Sequence, residues 1–254
     1  MIAMRALLPE PANDVDPHAW YAADWLDIGG LRVNFIASVD GAVSAGGVSR
    51  GLQTPGDNRV FAALRDLADV VVAGSGTVLT EGYSLVSLSA TRQQQRRELG
   101  LAETLTTAVV SRSLLLDPKA PLFHGAESDP RTIVLTCAAA DAGRRSALEA
   151  VADVLICGED KVEPTLVRAA LMERGLMHVL CEGGPTLFTD FVRAQVVNEL
   201  CLTVSPLLVG PGPNRIVAGQ PWGVGSVWMR LAGLLEEDGA MFCRYRVEPE
   251  AADQ

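Results

Sequence analysis

Apolar positions along the chain fall into two alternating kinds of run. Short, β-branched runs occur at "LRVNFIAS" (31–38), "DVVVAG" (69–74), "TTAVVS" (106–111), "RTIVLT" (131–136), "ADVLIC" (152–157) and "MHVLCEGG" (177–184). Between them, amphipathic spacing predicts helices over 57–68, 90–98, 141–150, 164–174 and 185–195. Continuously apolar strands are those buried on both faces, and the helices between them supply the crossovers that parallel neighbours need. The expected class is therefore α/β, a mostly parallel sheet with helices on both sides. The last third changes character: 198–210, 227–239 and 240–248 have strand composition with Gly/Pro-rich joins and little helix, which predicts an antiparallel extension of the same sheet. Residues 1–30, rich in Pro, Asp and Ala and carrying Trp20 and Trp25, predict an extended arm with a short helix packed on the body. Residues 31–250 read as one domain.

Composition narrows the function classes. The chain has 254 residues, 48% hydrophobic and 20% charged, enough for a large core. A formal charge of −10 argues against a general nucleic-acid binder, which needs a basic surface to displace counterions. Any anionic ligand must then be held locally. Five cysteines (137, 157, 181, 201 and 243) lie in apolar segments without zinc spacing, as buried thiols in a reducing compartment do. No segment has the apolar core of a signal peptide or the ~20 apolar residues of a membrane span, so the cytoplasm is the expected location. His18, His124 and His178 are scattered, and His178, at a strand start, is expected to be structural.

Three strand ends carry unusual chemistry, and ligands of open α/β sheets bind at such ends. In "IASVDGAVSAGGVSRG" (36–51) a strand ends at Ser38, Asp40 and Gly41; Asp40 is a candidate catalytic carboxylate, or simply a turn residue. In "VVVAGSGTVLTEG" (70–82), Gly74 and Gly76 allow close backbone approach to a ligand while Ser75 and Thr77 offer hydroxyls, although an ordinary strand-to-helix turn reads the same way. In "VLCEGGPTLFTDF" (179–191), Gly183 and Gly184 relieve steric limits, Pro185 suits a first helical turn and Thr186 can cap it or touch phosphate. Glu182 ends that strand facing a cleft, and a buried carboxylate needs a partner.

Read in order, "ASVDG", "VVVAGSGTVL", "LCEGGPTL" and "VNELCLTVSPLLVG" resemble the reductase domain of riboflavin biosynthesis, the RibD C-terminal family, from about residue 31 to 245. The resemblance implies a dihydrofolate-reductase-like three-layer α/β/α fold, NADPH as cofactor, a homodimer, and reduction of the ribosyl group of a phosphorylated aminopyrimidine to ribityl. It implies that Thr77, Glu81, Gly184, Pro185, Thr186 and Leu187 contact NADPH, that Ala37 lines the nicotinamide side, and that Ser49, Arg65 and Glu182 hold the substrate. Glu182 would accept hydrogen bonds from the ligand and serve as a catalytic group. Ser111 and Arg112, in "VVSRS", resemble the 2′-phosphate site of dihydrofolate reductases.

Departures from the family pattern matter. Glu81 and Tyr83 stand in "TEGYSL" where an Asp-Asp-Pro run is common, and Gly51 and Leu52 where a tryptophan is expected. Leu88 aligns with the arginine that grips the substrate phosphate, a role no neutral side chain can take; whether Arg92, on the next helix, reaches in to compensate is left open by the sequence. Zinc-deaminase ligands of the H-x-E and P-C-x-x-C kind are absent, so reduction without deamination is expected. Two alternatives stay open: a pterin reductase such as one acting on dihydrofolate, with Asp57 as the substrate-binding carboxylate unless it is only a helix-start charge, and an NADPH-binding module without turnover.

Overall fold

The computed structural model describes residues 3–212, 215–219 and 225–248. Ten strands form one sheet: β1 (Arg5–Leu8), β2 (Gly30–Ser38), β3 (Val70–Gly74), β4 (Thr106–Val110), β5 (Ile133–Thr136), β6 (Asp153–Ile156), β7 (His178–Cys181), β8 (Glu199–Ser205), β9 (Met229–Glu237) and β10 (Ala240–Val247). Their order is β1-β9-β10-β8-β2-β7-β3-β4-β5-β6. From β8 to β6 every pairing is parallel, and β10, β9 and β1 extend the sheet antiparallel. Among the described residues no helix is long and apolar enough to cross a membrane.

The helices are α1 (Pro17–Ala22), α2 (Trp25–Ile28), α3 (Pro55–Asp66), α4 (Ser75–Glu81), α5 (Ala90–Glu98), α6 (Ala142–Glu149), α7 (Pro164–Met172) and α8 (Pro185–Arg193). Side-chain caps set several starts. Thr54 Oγ1 accepts from Asp57 N at 3.1 Å, Ser89 Oγ from Arg92 N at 3.4 Å, and Asp141 Oδ1 from Arg144 N at 2.8 Å.

Strand alternation divides the core into layers. Val70, Val72, Val179 and Cys181 pack with Val167 and Leu171 of α7 and Phe188 and Phe191 of α8. Val71 and Leu180 point the other way, to Val60 and Leu64 of α3 and to Tyr21 and Trp25. Ala73, Val109 and Val134 meet Leu148 of α6. Each buried Val or Leu removes enough apolar surface to contribute about 1.5–3 kcal/mol. Burial on both faces is why these strands read as unbroken apolar runs.

Two arginine clusters fix the frame around the sheet. Arg96 on α5 is fully buried and donates to the carbonyls of Arg65, Asp66 and Ala68 at the end of α3 and of Ala102 and Thr104 beyond α5. It satisfies carbonyls that a helix end leaves without partners. On the N-terminal side, Glu199 accepts from Arg32 Nε at 2.6 Å and Arg244 Nε at 2.7 Å, and Arg244 Nη2 reaches Asp24 at 2.6 Å. The Arg32 guanidinium lies 4.0 Å over the Trp25 ring. These contacts fasten α1 and α2 onto β2, β8 and β10, and β1 completes the edge by pairing Arg5 with Glu236 and Ala6 with Leu235.

Candidate active site

The carboxyl ends of β2, β3, β4 and β7 open into a cavity of ≈ 1530 Å³, lined from Asn34 and Phe35 on one side to Val110 and Arg112 on the other. That exceeds the roughly 300–1,000 Å³ usual for one small ligand, so two molecules fit side by side.

Glu182 lines it. The apolar run of β7 ends at Cys181, and Glu182 N still donates to Val72 O at 2.9 Å, so the ladder with β3 fixes the carboxylate's position. Arg65, in the last turn of α3, donates through Nε to Oε1 at 2.6 Å and through Nη2 to Oε2 at 2.7 Å. Tyr83 donates to Oε2 at 2.6 Å. The left-handed Gly82 at the end of α4 turns the chain so that Tyr83 faces Glu182. Burial pushes the Tyr83 phenol well above its ordinary value, and the Glu182 charge adds to the rise. Burial opposes the charge on Arg65, but Glu182 more than offsets it and raises the guanidinium pKa. The guanidinium also lies 4.3 Å over the Phe61 ring.

The glycine turns bring two helix starts to the same place. Gly74 begins α4 and Gly184 begins α8, and neither start has a side-chain cap, unlike α3, α5 and α6. Their first-turn N–H groups are therefore open to an anion. Gly74 N donates to Gly183 O at 2.8 Å, joining the two turns. A Cβ on Gly184 would come within 2.5 Å of Thr77 Oγ1, whereas one on Gly76 would meet nothing within 4 Å. So the turns pack closely together while leaving open space at Gly76.

Most of the residues singled out in the sequence converge here: Ser49, Asp57, Arg65, Gly74, Gly76, Thr77, Glu81, Arg112, Glu182, Gly184, Pro185, Thr186 and Leu187 all line the cavity. Glu81 Oε1 accepts from Ser49 N at 3.0 Å, tying α4 to the 3-10 turn Ser49–Leu52. Asp57 is buried and hydrogen-bonded to Thr203 on β8, and burial raises its pKa. Arg112 is exposed and has no acidic partner among the described residues.

Four others lie elsewhere. Asp40 accepts from Ser38 Oγ, Val209 N and Gly210 N, and these bonds hold its pKa below the usual range; it joins two loops and does not face the cavity. Ser111 is buried and its Oγ accepts from Leu114 N at 3.1 Å, so it shapes its own loop. Ala37 is buried in β2, where Asn34, Phe35 and Ile36 line the wall instead. Gly183 sits behind the turn, where a Cβ would come within 3.0 Å of the Phe35 ring. Leu88 is buried in the core, and Arg92 is engaged by Asp66 at 2.8 Å and by the Ala62 carbonyl. Leu88 has no group that binds an anion, and the charge of Arg92 is already met by Asp66. Sequence reasoning missed α4 as a helix, Thr203 as the partner of Asp57, and Tyr83 as a partner of Glu182. The glycine before Tyr83, a residue type that readily takes the left-handed turn ending a helix, was the available signal for the last.

Comparison with known proteins identifies the family. The RibD C-terminal domain model matches residues 30–236. The 2,5-diamino-6-ribosylamino-4(3H)-pyrimidinone 5′-phosphate reductase of Archaeoglobus fulgidus is 26% identical over 179 residues, covering 70% of this chain and 80% of that protein. The riboflavin biosynthesis protein RibD of Mycobacterium tuberculosis is 27% identical over 184 residues, which span 72% of this chain but 43% of that protein. A pyrimidine reductase-like protein of Corynebacterium diphtheriae superposes with a TM-score of 0.84 at 24% identity, covering 93% of this chain and all of that one, a likeness of fold. With the match running from the start of β2 almost to the end of β9, the chain belongs to the RibD C-terminal domain family.

Proposed function

We propose that this protein reduces the ribosyl group of a 5′-phosphorylated ribosylaminopyrimidine to ribityl, with NADPH as donor. The observation that carries the reading is a single cavity in which two uncapped helix starts lie beside a fixed carboxylate. When bound, the nicotinamide supplies the hydride. The open N–H groups of α4 and α8, with Thr77 and Thr186, hold the dinucleotide's phosphates. Arg112 takes the 2′-phosphate that distinguishes NADPH from NADH. Glu182 has roughly four acceptor positions and gives three to Arg65 and Tyr83, leaving one for an N–H or O–H of the substrate. Held this way, it orients the substrate beside the cofactor. The same reading has the enzyme work in the cytoplasm as a homodimer through the antiparallel end of the sheet.

A specific observation favours a second reading. Asp57 is a buried carboxylate that lines the cavity with Thr203 as its side-chain partner, an arrangement suited to the adjacent N–H groups of a pterin. NADPH oxidation measured side by side with the pyrimidine phosphate and with dihydrofolate separates the two. Turnover of the pyrimidine and not of the pterin is expected, and the reverse result overturns the first reading. NADPH binding without oxidation of either leaves a binding module. Arg112→Ala is expected to weaken NADPH binding on the order of tenfold or more while leaving NADH unchanged.

A further inference from the structure

Six basic side chains line the cavity: Arg50, Arg65, Arg92, Arg112, Lys161 and Arg193. Four face acids: Arg65 faces Glu182, Arg92 Asp66, Lys161 Glu163 at 3.4 Å, and Arg193 Asp190 at 3.8 Å. Among the described residues this leaves Arg50 and Arg112 with exposed guanidinium groups and no counter-charge. The two sit on opposite flanks. Arg112 follows β4, Arg50 lies in the segment between β2 and α3, and β7 and β3, which lead into the phosphate-binding helix starts, run between β2 and β4.

The mount of Arg50 is fixed even though its side chain is free. Ser49 N is held by Glu81, Ala45 and Val48 form a bridge beneath the turn, and Leu52 is buried. Gly51 packs so closely that a Cβ there would come within 2.9 Å of Ala45. Ser49 and Asp57, on either side of it in the chain, line the same wall.

We propose that Arg50 is the anion clamp for the substrate's 5′-phosphate. The inference rests on the function proposed above, which requires a phosphate at the end of the substrate away from the hydride. Of the two other positions nearby, Leu88 is buried and apolar, and the charge of Arg92 is already met by Asp66. A planar guanidinium on a rigid turn suits bidentate phosphate recognition, and Arg50 has no acidic partner among the described residues to compete with a phosphate.

The experiment compares the wild type with Arg50→Ala and Arg50→Lys, using the ribosylaminopyrimidine with and without its 5′-phosphate. In parallel, calorimetry measures ribose 5-phosphate and ribose binding with NADPH present. The wild type is expected to favour the phosphorylated substrate in kcat/KM. Arg50→Ala should lose that preference by on the order of ten- to a hundredfold, with NADPH affinity unchanged, and Arg50→Lys should recover part of it. A preference that survives in Arg50→Ala overturns the clamp while leaving the proposed function intact. If the wild type reduces neither pyrimidine, the proposed function has failed and ribose 5-phosphate binding alone decides: loss in Arg50→Ala supports the clamp, and unchanged binding overturns it. Because Arg50 is exposed, its variants are expected to melt with the wild type, and a matched Tm confirms that folding is not the cause.

Discussion

Arg65 grips Glu182 with two parallel hydrogen bonds, one to each carboxylate oxygen, at 2.6 and 2.7 Å. The pair spans the end of α3 and the end of β7, so it serves structure and ligand at once. Glu182→Gln keeps the shape and removes the charge. It is expected to lower kcat/KM for the pyrimidine at least tenfold with NADPH affinity spared, and to cost about 3 kcal/mol of stability because Arg65 is left partly buried without a counter-charge. Equal loss of NADPH binding, measured by calorimetry, would contradict this division of labour.

The chain has three tyrosines, and all have pKa values raised above the ordinary 10.0, with burial as the leading cause. A phenol raised in the fold stabilises it fully below its unfolded value, and that contribution is lost as pH rises through the folded one. The phenolate absorbance of Tyr21 and Tyr83 should therefore stay absent at pH 10 and appear together with unfolding at higher pH. A phenolate step in the still-folded protein near pH 10 that disappears in Tyr83→Phe would count against the buried Tyr83–Glu182 bond. Tyr83→Phe should cost about 1.5–3 kcal/mol and raise KM for the pyrimidine more than it lowers kcat.

His178 places Nδ1 2.8 Å from Asp69 Oδ2 and Nε2 3.1 Å from Leu26 O, two acceptors that both favour the imidazolium. Its pKa is raised above 6.5, chiefly by the Asp69 hydrogen bond, and the Asp69 value falls below 3.8 because those bonds outweigh its burial. The His178 contribution is complete below 6.5 and fades as pH climbs through the folded value; that of Asp69 is present above 3.8 and fades on acidification. The Tm gap between wild type and His178→Asn should be widest between those pH values and shrink on the alkaline side. A gap independent of pH would refute the ion pair.

Glu199 is shared by Arg32 and Arg244 and is almost fully buried. Glu199→Ala leaves both guanidinium groups without it and is expected to cost about 3–5 kcal/mol. The loss should start at the N-terminal segment, so limited proteolysis of the variant should cut between β1 and β2 first. Protection there equal to the wild type would show that the cluster does not hold the arm.

The alternating pattern of apolar runs and helical stretches was legible because strands buried on both faces leave no polar positions, as β3 and β5 show. What pattern could not reveal was pairing across the sheet. β1 is short and gains its place only through Arg5 and Ala6 opposite Glu236 and Leu235, contacts more than two hundred residues apart in sequence. Around the cavity, the glycine turns and Glu182 were visible as local departures from strand and helix chemistry. Asp40 and Ser111 have the same local chemistry as cavity residues, yet Asp40 is taken up by Ser38 and by the Val209–Gly210 loop and Ser111 by Leu114 N in its own loop, and only the fold decides that competition. Arg50 drew no notice because an arginine between a serine and a glycine is ordinary until all the other cations around the cavity except Arg112 are found paired.

The segment 82–89 runs along the cavity with both ends tied down, at Tyr83 by Glu182 and beyond Leu88 by Arg92 and Arg96 on the next helix. It works as a girder rather than a flap. Lengthening it by a single residue would pull either the phenol away from its carboxylate or the leucine out of its nest, so the span between those anchors, more than the identity of the residues along it, limits how large a guest this enzyme admits.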